Sequence, residues 1–265
     1  MVIVITGVLS AMTTDVITYP IKSFLALERR TTLVDTAELA LRRMQRDIRR
    51  ALPNSIRINS DGTGLELLHT LDGGRYRSAV DSTKAAGAGL CNGQPEADIL
   101  DLTRSDDCFE LIGSFTAFNP QATSGESIVV YNLGGASLTA DAYAGNNRAL
   151  LVNSASADML NFNARQFPYH SAQQRFYIID TPITYRCDRL TGQLHRYANY
   201  AIAAVQPDPP AVAGHLQASQ IASCRFSYSS GVASRAGLVT IEMVLADASG
   251  EAIRLLQQVH VDNAP

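Results

Sequence analysis

Met1-Val2-Ile3-Val4-Ile5-Thr6-Gly7-Val8-Leu9-Ser10-Ala11-Met12 opens the chain without a charge and runs on with no small-residue signal-peptidase site. A secretory signal would end in an Ala-x-Ala-like site and be removed. Here the apolar pattern continues through Thr13 to Leu27. It then passes through Leu33, Ala37, Leu41, Met44, Ile48 and Leu52, three or four residues apart, as on one helix face. An oily tip on an amphipathic stalk, with everything else downstream, is how a filament subunit is built. The competing reading is a buried core helix in a soluble protein.

The tip does not span a bilayer by itself. At about 1.5 Å per residue it reaches roughly 18 Å, against a hydrocarbon core about 30 Å thick. Extending it towards the C-terminus places Asp15 near mid-membrane, at a cost of roughly 2.5–3.5 kcal/mol. About seven or eight apolar residues ahead of Met1 would complete a span and leave Asp15 and Lys22 at its edge. Lys22, Arg29 and Arg30 follow the tip, so the positive-inside bias alone puts that side in the cytoplasm unless a basic leader precedes it. The sequence is therefore expected to start at an internal Met.

The 265 residues, 46% of them hydrophobic, suffice for one domain plus a helical extension. A net charge of −3 predicts no general affinity for nucleic acid. Arginines 29, 30, 42, 43, 46, 49 and 50 stand against Glu28, Asp35, Glu38 and Asp47, a run read as a solvated face or as ion-pairing within an assembly. Cys91, Cys108, Cys187 and Cys224 are even in number and lack zinc-type spacing. An oxidising compartment would pair them in one of three ways. Cys91–Cys108 with Cys187–Cys224 is favoured, because each pair flanks a segment rich in turn residues.

The helix is expected to run from near Met1 to Leu52, bent at Pro20 and stopped by Pro53-Asn54. Periodicity then changes from 3.6 to 2. Strands are predicted at 55–58, 65–69, 76–80, 99–102, 108–115, 127–133, 149–152, 175–180, 183–187, 193–200, 238–245 and 252–261. Asp72-Gly73-Gly74 reads as a hairpin turn, as do Asp188–Gly192 and Ala248-Ser249-Gly250. Residues 81–98, 134–147 and 206–214 read as surface loops. One helix followed by strands predicts an α+β fold, with a long N-terminal helix packed on a globular domain of antiparallel β-sheet. The division is 1–27 as a hydrophobic tip, 28–54 as an amphipathic stalk and 55–265 as a β-rich body.

Catalytic signatures fail in turn. The five histidines stand far apart, and there is no HExxH, GxSxG, Walker loop or CxxC. Asp101, Asp106 and Asp107, or Asp141, Asn146 and Asn147, offer hard oxygens for calcium, but turn formation explains them more simply. Arg165 with His170, and His195 beside Tyr197, read as ordinary surface residues. The expectation is a non-enzyme without catalytic residues, cofactor or metal.

Val2 to Ala11 looks like the interior of a type IV pilin N-terminus. Asp35–Ser55, Val129-Val130-Tyr131-Asn132-Leu133, Asp141–Arg148 and Gln258–Asn263 are more specific. Together they resemble the MshO family of pilin-like minor pilins, which serve biogenesis of the MSHA type IV pilus. The superfamily's basic leader, prepilin peptidase site and early glutamate have no counterpart here and would lie before Met1. The resemblance implies a bacterial inner-membrane, single-pass subunit with a periplasmic C-terminal domain that later rides on the extracellular pilus, priming or capping it. Val2, Ile3, Val4, Ile5, Gly7, Val8, Leu9, Ile17 and Phe24 would pack first in lipid and then among other pilin subunits. Leu33, Ala37, Leu41, Met44, Ile48 and Leu52 would hold the sheet to the stalk. Alternatives are a type II secretion pseudopilin, or a tip adhesin module whose loops contact a surface ligand.

Overall fold

The computed structural model describes residues 2–83, 91, 98–134, 139–231 and 236–261, with side chains from residue 18 onwards. One helix, α1 (Val2–Arg49), precedes twelve strands: β1 (Arg57–Ile58), β2 (Gly64–Tyr76), β3 (Asp106–Ile112), β4 (Ser127–Val130), β5 (Arg148–Val152), β6 (Met159–Arg165), β7 (Arg175–Asp188), β8 (Gln193–Tyr197), β9 (His215–Ala218), β10 (Ile221–Ser229), β11 (Gly237–Ala246) and β12 (Ala252–Val261). The expected α+β class is thereby corrected to mainly β. A helix packed on a sheet accounts for only part of the molecule, because the strands also close on themselves.

That closure comes from two long strands. β7 pairs with β2 along one edge and with β4 along the other. β2 meets β3 at Arg75↔Ile112 and Tyr76↔Leu111, and the run continues through β6 and β5 back to β4. The ring β2-β3-β6-β5-β4-β7 is an antiparallel barrel, and alternate residues of each strand point into it. Its interior holds Tyr76, Phe109, Leu111, Ile128, Val130, Ala149, Leu151, Leu160, Phe162, Phe176 and Ile178. None of these side chains belongs to the helix.

Register shifts between Leu68 and Asp72 mark where β2 leaves the barrel. Its first half, with the second half of β7, continues as a platform extended by β1, β8 and β9. A separate three-stranded sheet, β10-β11-β12, stands beside it. The helix covers both. Leu33, Ala37, Ala40, Leu41, Met44 and Ile48 share one core with Leu65, Leu67, Ile183 and Tyr185 of the platform and Val239, Ile241, Met243 and Leu245 of β11.

Three sequence expectations need correction here. Gly73 and Gly74 form no turn and lie within β2. A Cβ on Gly73 would stand 2.9 Å from the Phe176 carbonyl oxygen, and one on Gly74 would stand 2.8 Å from the Phe176 ring, so the glycines admit a close neighbour. Leu52 is not helical. The helix ends at Arg49, and the Leu52 N–H bonds the Leu68 carbonyl at 2.8 Å, so Ala51 and Leu52 add to the edge of β2. Proline at 53 disfavours helix at the residue before it, and the strand edge accepts that residue instead. Finally, β6, β9 and β10 stand where no strand was predicted, and Ile99–Leu102 is not a strand. The Asp188–Gly192 and Ala248–Gly250 turns do join β7 to β8 and β11 to β12. The helix continues through Pro20.

Both favoured disulfides are present, Cys91–Cys108 and Cys187–Cys224, with Cα separations of 5.7 and 6.4 Å, within the usual span. The second ties β7 of the platform to β10 of the three-stranded sheet.

Asp72, in β2, fastens the loop after β3. Its carboxylate accepts the N–H groups of Gly73, Thr116, Ala117 and Phe118 at 2.7–3.2 Å. Burial works to raise its pKa, but the four donors outweigh burial and hold it below the ordinary 3.8. A depressed carboxylate stabilises the fold fully above its unfolded value, and that contribution is lost as the pH falls through the folded value. Asp72→Asn is expected to cost about 1–3 kcal/mol at neutral pH. Denaturant melts from pH 7 down to 3 should show the gap to wild type narrowing below 3.8.

Candidate functional site

The segment of α1 that stands clear of the strands is the clearest candidate surface. From Tyr19 to Thr32 every side chain except Ala26 is exposed, and burial begins at Leu33. Fifteen residues from Thr18 to Thr32 extend roughly 22 Å at helical rise. Tyr19, Ile21, Phe24, Leu25 and Leu27 are large apolar side chains on this stretch, with Phe24 67% exposed. An apolar patch that its own domain leaves uncovered marks an interaction surface. Ser23, Thr31 and Thr32 turn their hydroxyls back onto carbonyls one turn earlier, so these polar groups are satisfied within the helix. Val2, Ile3, Val4, Ile5, Gly7, Val8, Leu9 and Ile17 lie on the same helix, and their side chains fall outside the described ones. No helix among the described residues is long and apolar enough to cross a membrane.

Below Leu33 the helix is fixed to the body. Leu33, Ala37, Leu41, Met44 and Ile48 are buried against both sheets. Leu52, beyond the helix end, fills a smaller core with Leu68, Val129, Tyr143 and Ile179. Asp47 adds a polar lock, accepting the Tyr185 hydroxyl at 2.7 Å and the Arg196 Nε at 2.8 Å. Burial pushes the Tyr185 hydroxyl far above its usual range, and the Asp47 charge adds to this, so the tyrosine stays a neutral donor. Arg29–Asp247 at 3.4 Å and Arg30–Glu251 at 3.3 Å tether the helix to the β11–β12 turn. Both pairs lie at the surface, where solvent and salt screen them, so they orient the helix more than they hold it. Part of the arginine run therefore pairs within the chain.

Three of the sequence blocks singled out above converge at one junction. The Asn54 amide donates to the Asn132 carbonyl at 2.9 Å, and the Asn132 amide donates to the Pro53 carbonyl at 2.8 Å. Asn132 Oδ1 accepts the Ala142 N–H at 3.0 Å, which draws in the 141–148 segment. Gly134, at φ 60°, passes so close to Asn54 that no Cβ fits. The helix exit is thus locked to the barrel loops through asparagines. Sequence periodicity cannot show such a lock, because it records no side-chain-to-backbone bonds.

Beside this junction lies a second network that the sequence did not announce. Fully buried Glu66 receives Arg57 Nε and the Tyr200 hydroxyl, the latter at 2.8 Å. Arg57 also stands 3.6 Å over the Tyr143 ring and donates to the carbonyls of Ala203 and Ala204. Every charge here is matched, so the network braces the 198–204 loop and offers no free acid or base.

A cleft of about 480 Å³ lies between the β7–β8 turn and Pro209 of the 206–214 loop. Its Arg186 is held by Asp208 and the Thr63 hydroxyl, and Asp61 accepts the Thr63 hydroxyl and N–H. The Thr63 hydroxyl, helped by Arg186 and Arg189, keeps Asp61 below the usual carboxylate range. His195 and Tyr197 contact through their rings, 6.2 Å apart. Four of the candidate calcium residues bond backbone N–H groups close by in sequence. Asp101 caps Thr103, Asp106 caps Cys108, Asp141 caps Tyr143, and Asn146 accepts the Asp141 N–H. Among the described residues no group of three acidic, histidine or cysteine side chains is placed to hold a metal ion. Of the 81–98 loop, residues 84–90 and 92–97 lie outside the described residues.

No family model, no curated protein and no solved structure matches the chain.

Proposed function

We propose that the chain is a minor pilin of an MSHA-type type IV pilus, which primes or caps the filament through its N-terminal helix. The observation that carries this reading is the projecting part of α1, with Tyr19, Ile21, Phe24, Leu25 and Leu27 uncovered by the domain to which Leu33–Ile48 are bound. Before assembly the helix resides in the bacterial inner membrane with the β-rich body in the periplasm, an oxidising compartment that suits the two disulfides. On extraction the apolar face exchanges lipid for sister helices. Hydrocarbon and leucine-like surfaces are equally apolar, so this handover has little net hydrophobic cost and is driven by packing.

Two linked outcomes test this division. A chain lacking residues 1–27 is expected to remain soluble and folded, since the buried helix residues begin at Leu33. Val4→Arg or Val8→Arg in the full chain is expected to abolish piliation, because a charge on that face costs roughly 2.5–3.5 kcal/mol in lipid. Normal pilus counts in the arginine strains, or recovery of the truncated chain only as aggregates, would contradict the reading. Lost protein export with unaffected pili would assign the helix to a type II secretion system.

A further inference from the structure

A cavity of about 330 Å³ opens on the outside of the barrel, lined by Ser127, Arg148, Leu150, Asp180, Tyr200 and Ile202 among others. Its arginine is unusual in the company it keeps. β5 pairs with β6 at Leu151↔Phe162 and Val152↔Asn161, and the same register carried on sets Arg148 opposite Arg165. Leu151 and Phe162 point into the barrel, so both arginines lie on its outer face. Like charges directly opposite on paired strands repel. Neither arginine forms an ion pair among the described residues, whereas Arg57, Arg77, Arg104, Arg186 and Arg196 all do. Arg165 Nη2 donates to the Gly145 carbonyl, and its buried Nε has no partner. Asp106 is the cross-strand partner of Arg165 on β3, but it forms no ion pair with it and instead accepts the N–H groups of Asp101 and Asp107, both at 2.8 Å. Burial and the neighbouring Arg165 charge lower the Arg148 pKa, the signature of a desolvated cation without a counter-ion.

The opposite wall is an acceptor. Asp180 Oδ1 takes the Thr181 N–H at 2.6 Å and faces His69 Nδ1 at 2.9 Å, and its Oδ2 has no partner among the described residues. The Tyr200 hydroxyl is taken by Glu66 and Thr184. A compact polyanion is repelled by Asp180, and a neutral sugar leaves the arginine pair uncompensated. A ligand with an anion at one end and hydroxyl donors at the other suits both walls.

We propose that this cavity binds an acidic saccharide unit, with its carboxylate held by Arg148 in front of Arg165 and its hydroxyls held by Asp180 and Ser127. The site lies on the barrel and is independent of what the helix packs against.

The test uses the full chain in detergent, labelled with ¹⁵N-arginine and titrated with glucuronate, glucose, acetate and sulfate. Glucuronate is expected to shift two arginine Nε–Hε signals saturably, and these are assigned by their loss in Arg148→Met and Arg165→Met. Glucose and acetate should leave them in place, and Asp180→Asn should weaken glucuronate about tenfold, one lost hydrogen bond to a charged group. Arg148→Met is expected to melt at or above the wild-type temperature, since it removes one of two repelling charges, and to show no glucuronate response. An arginine needed only for the fold would instead lower the melting temperature. The proposal is overturned if glucuronate gives no saturable shift up to ~10 mM, a weak-affinity limit. Equal shifts with sulfate and acetate, showing general anion attraction, overturn it too, as does a glucuronate response that survives in Arg148→Met.

Discussion

Phe109→Ala is expected to destabilise the protein by about 3–5 kcal/mol, the range for removing a fully buried aromatic ring from a packed core. Phe109 is wholly inaccessible and sits in β3 at the centre of the barrel. Its ring meets Tyr76 at 6.3 Å, Phe162 at 5.9 Å and Phe176 at 5.1 Å, the first and last edge-on. Those three rings come from β2, β6 and β7, so one truncation removes contacts to three of the other five barrel strands. The melting temperature should fall by roughly 6–20 °C. Helix loss in far-ultraviolet circular dichroism and loss of tyrosine tertiary signal should move together, although Phe109 touches no helix residue. β2 and β7 run unbroken through barrel and platform, so the cores of the two cannot separate without breaking the longest strand pair in the molecule. A barrel signal that melts early while the helix signal stays at its wild-type temperature would show two independent domains.

The helix and its burying face were legible because their period is strong and long. Leu33, Ala37, Leu41, Met44 and Ile48 are buried where 3.6-residue spacing puts them. The final hairpin was equally plain. β11 alternates buried and half-buried residues without a break, and a turn with Gly250 at φ 88° closes it. What the sequence hid was closure. Nothing in Asp72-Gly73-Gly74 tells a turn from a strand that must admit Phe176, because the reason lies in a residue a hundred positions away. β6 was hidden by its own composition. Met-Leu-Asn-Phe-Asn-Ala-Arg carries two asparagines, which propensity assigns to turns, yet Leu160 and Phe162 anchor it inside the barrel. β10 alternates only from Cys224 onward, after a bulge between Ile221 and Ser223, and small Ser and Ala residues mute its signal further, although Cys224 and Phe226 are buried within it. Without β6 the ring is open, and the chain reads as a helix on a sheet. The site features followed the same division. The exposed apolar helix was visible in advance, whereas the Arg57–Glu66 brace and the Arg148–Arg165 pair depend on register, which no local pattern encodes.

Replacing both Cys187 and Cys224 by alanine is expected to cost about 4 kcal/mol, and to loosen one part of the fold more than the rest. The crosslink spans 37 residues, and in the chain-entropy account a loop of that length restrains the unfolded state by about 4 kcal/mol. Its position adds a structural consequence. Among the described residues the three-stranded sheet shares no strand pairing with the nine-stranded one. Besides the disulfide, it is joined to the platform's edge by backbone bonds such as Phe226 N–H to the Gly62 carbonyl at 2.7 Å and Ile221 N–H to the Gly192 carbonyl at 2.9 Å. It is also joined by the core that it and the platform share beneath α1. With the crosslink gone, hydrogen exchange should accelerate in β10–β12 and in the helix from Leu33 to Ile48, which loses one wall of its groove. The barrel amides, including those of Phe109 and Phe162, should keep their protection up to global unfolding. Wild-type protein under reducing denaturant loses both crosslinks and should match a variant in which all four cysteines are replaced by alanine. Cys91→Ala with Cys108→Ala removes a crosslink that spans only 17 residues and should cost about 3 kcal/mol, with its exchange changes confined to β3 and its neighbours. An unchanged unfolding midpoint in the Cys187/Cys224 variant would mean that the groove around the helix already holds both sheets without the bond. The burial of Met44, Val239 and Met243 alone would then have to supply what is here assigned to the crosslink.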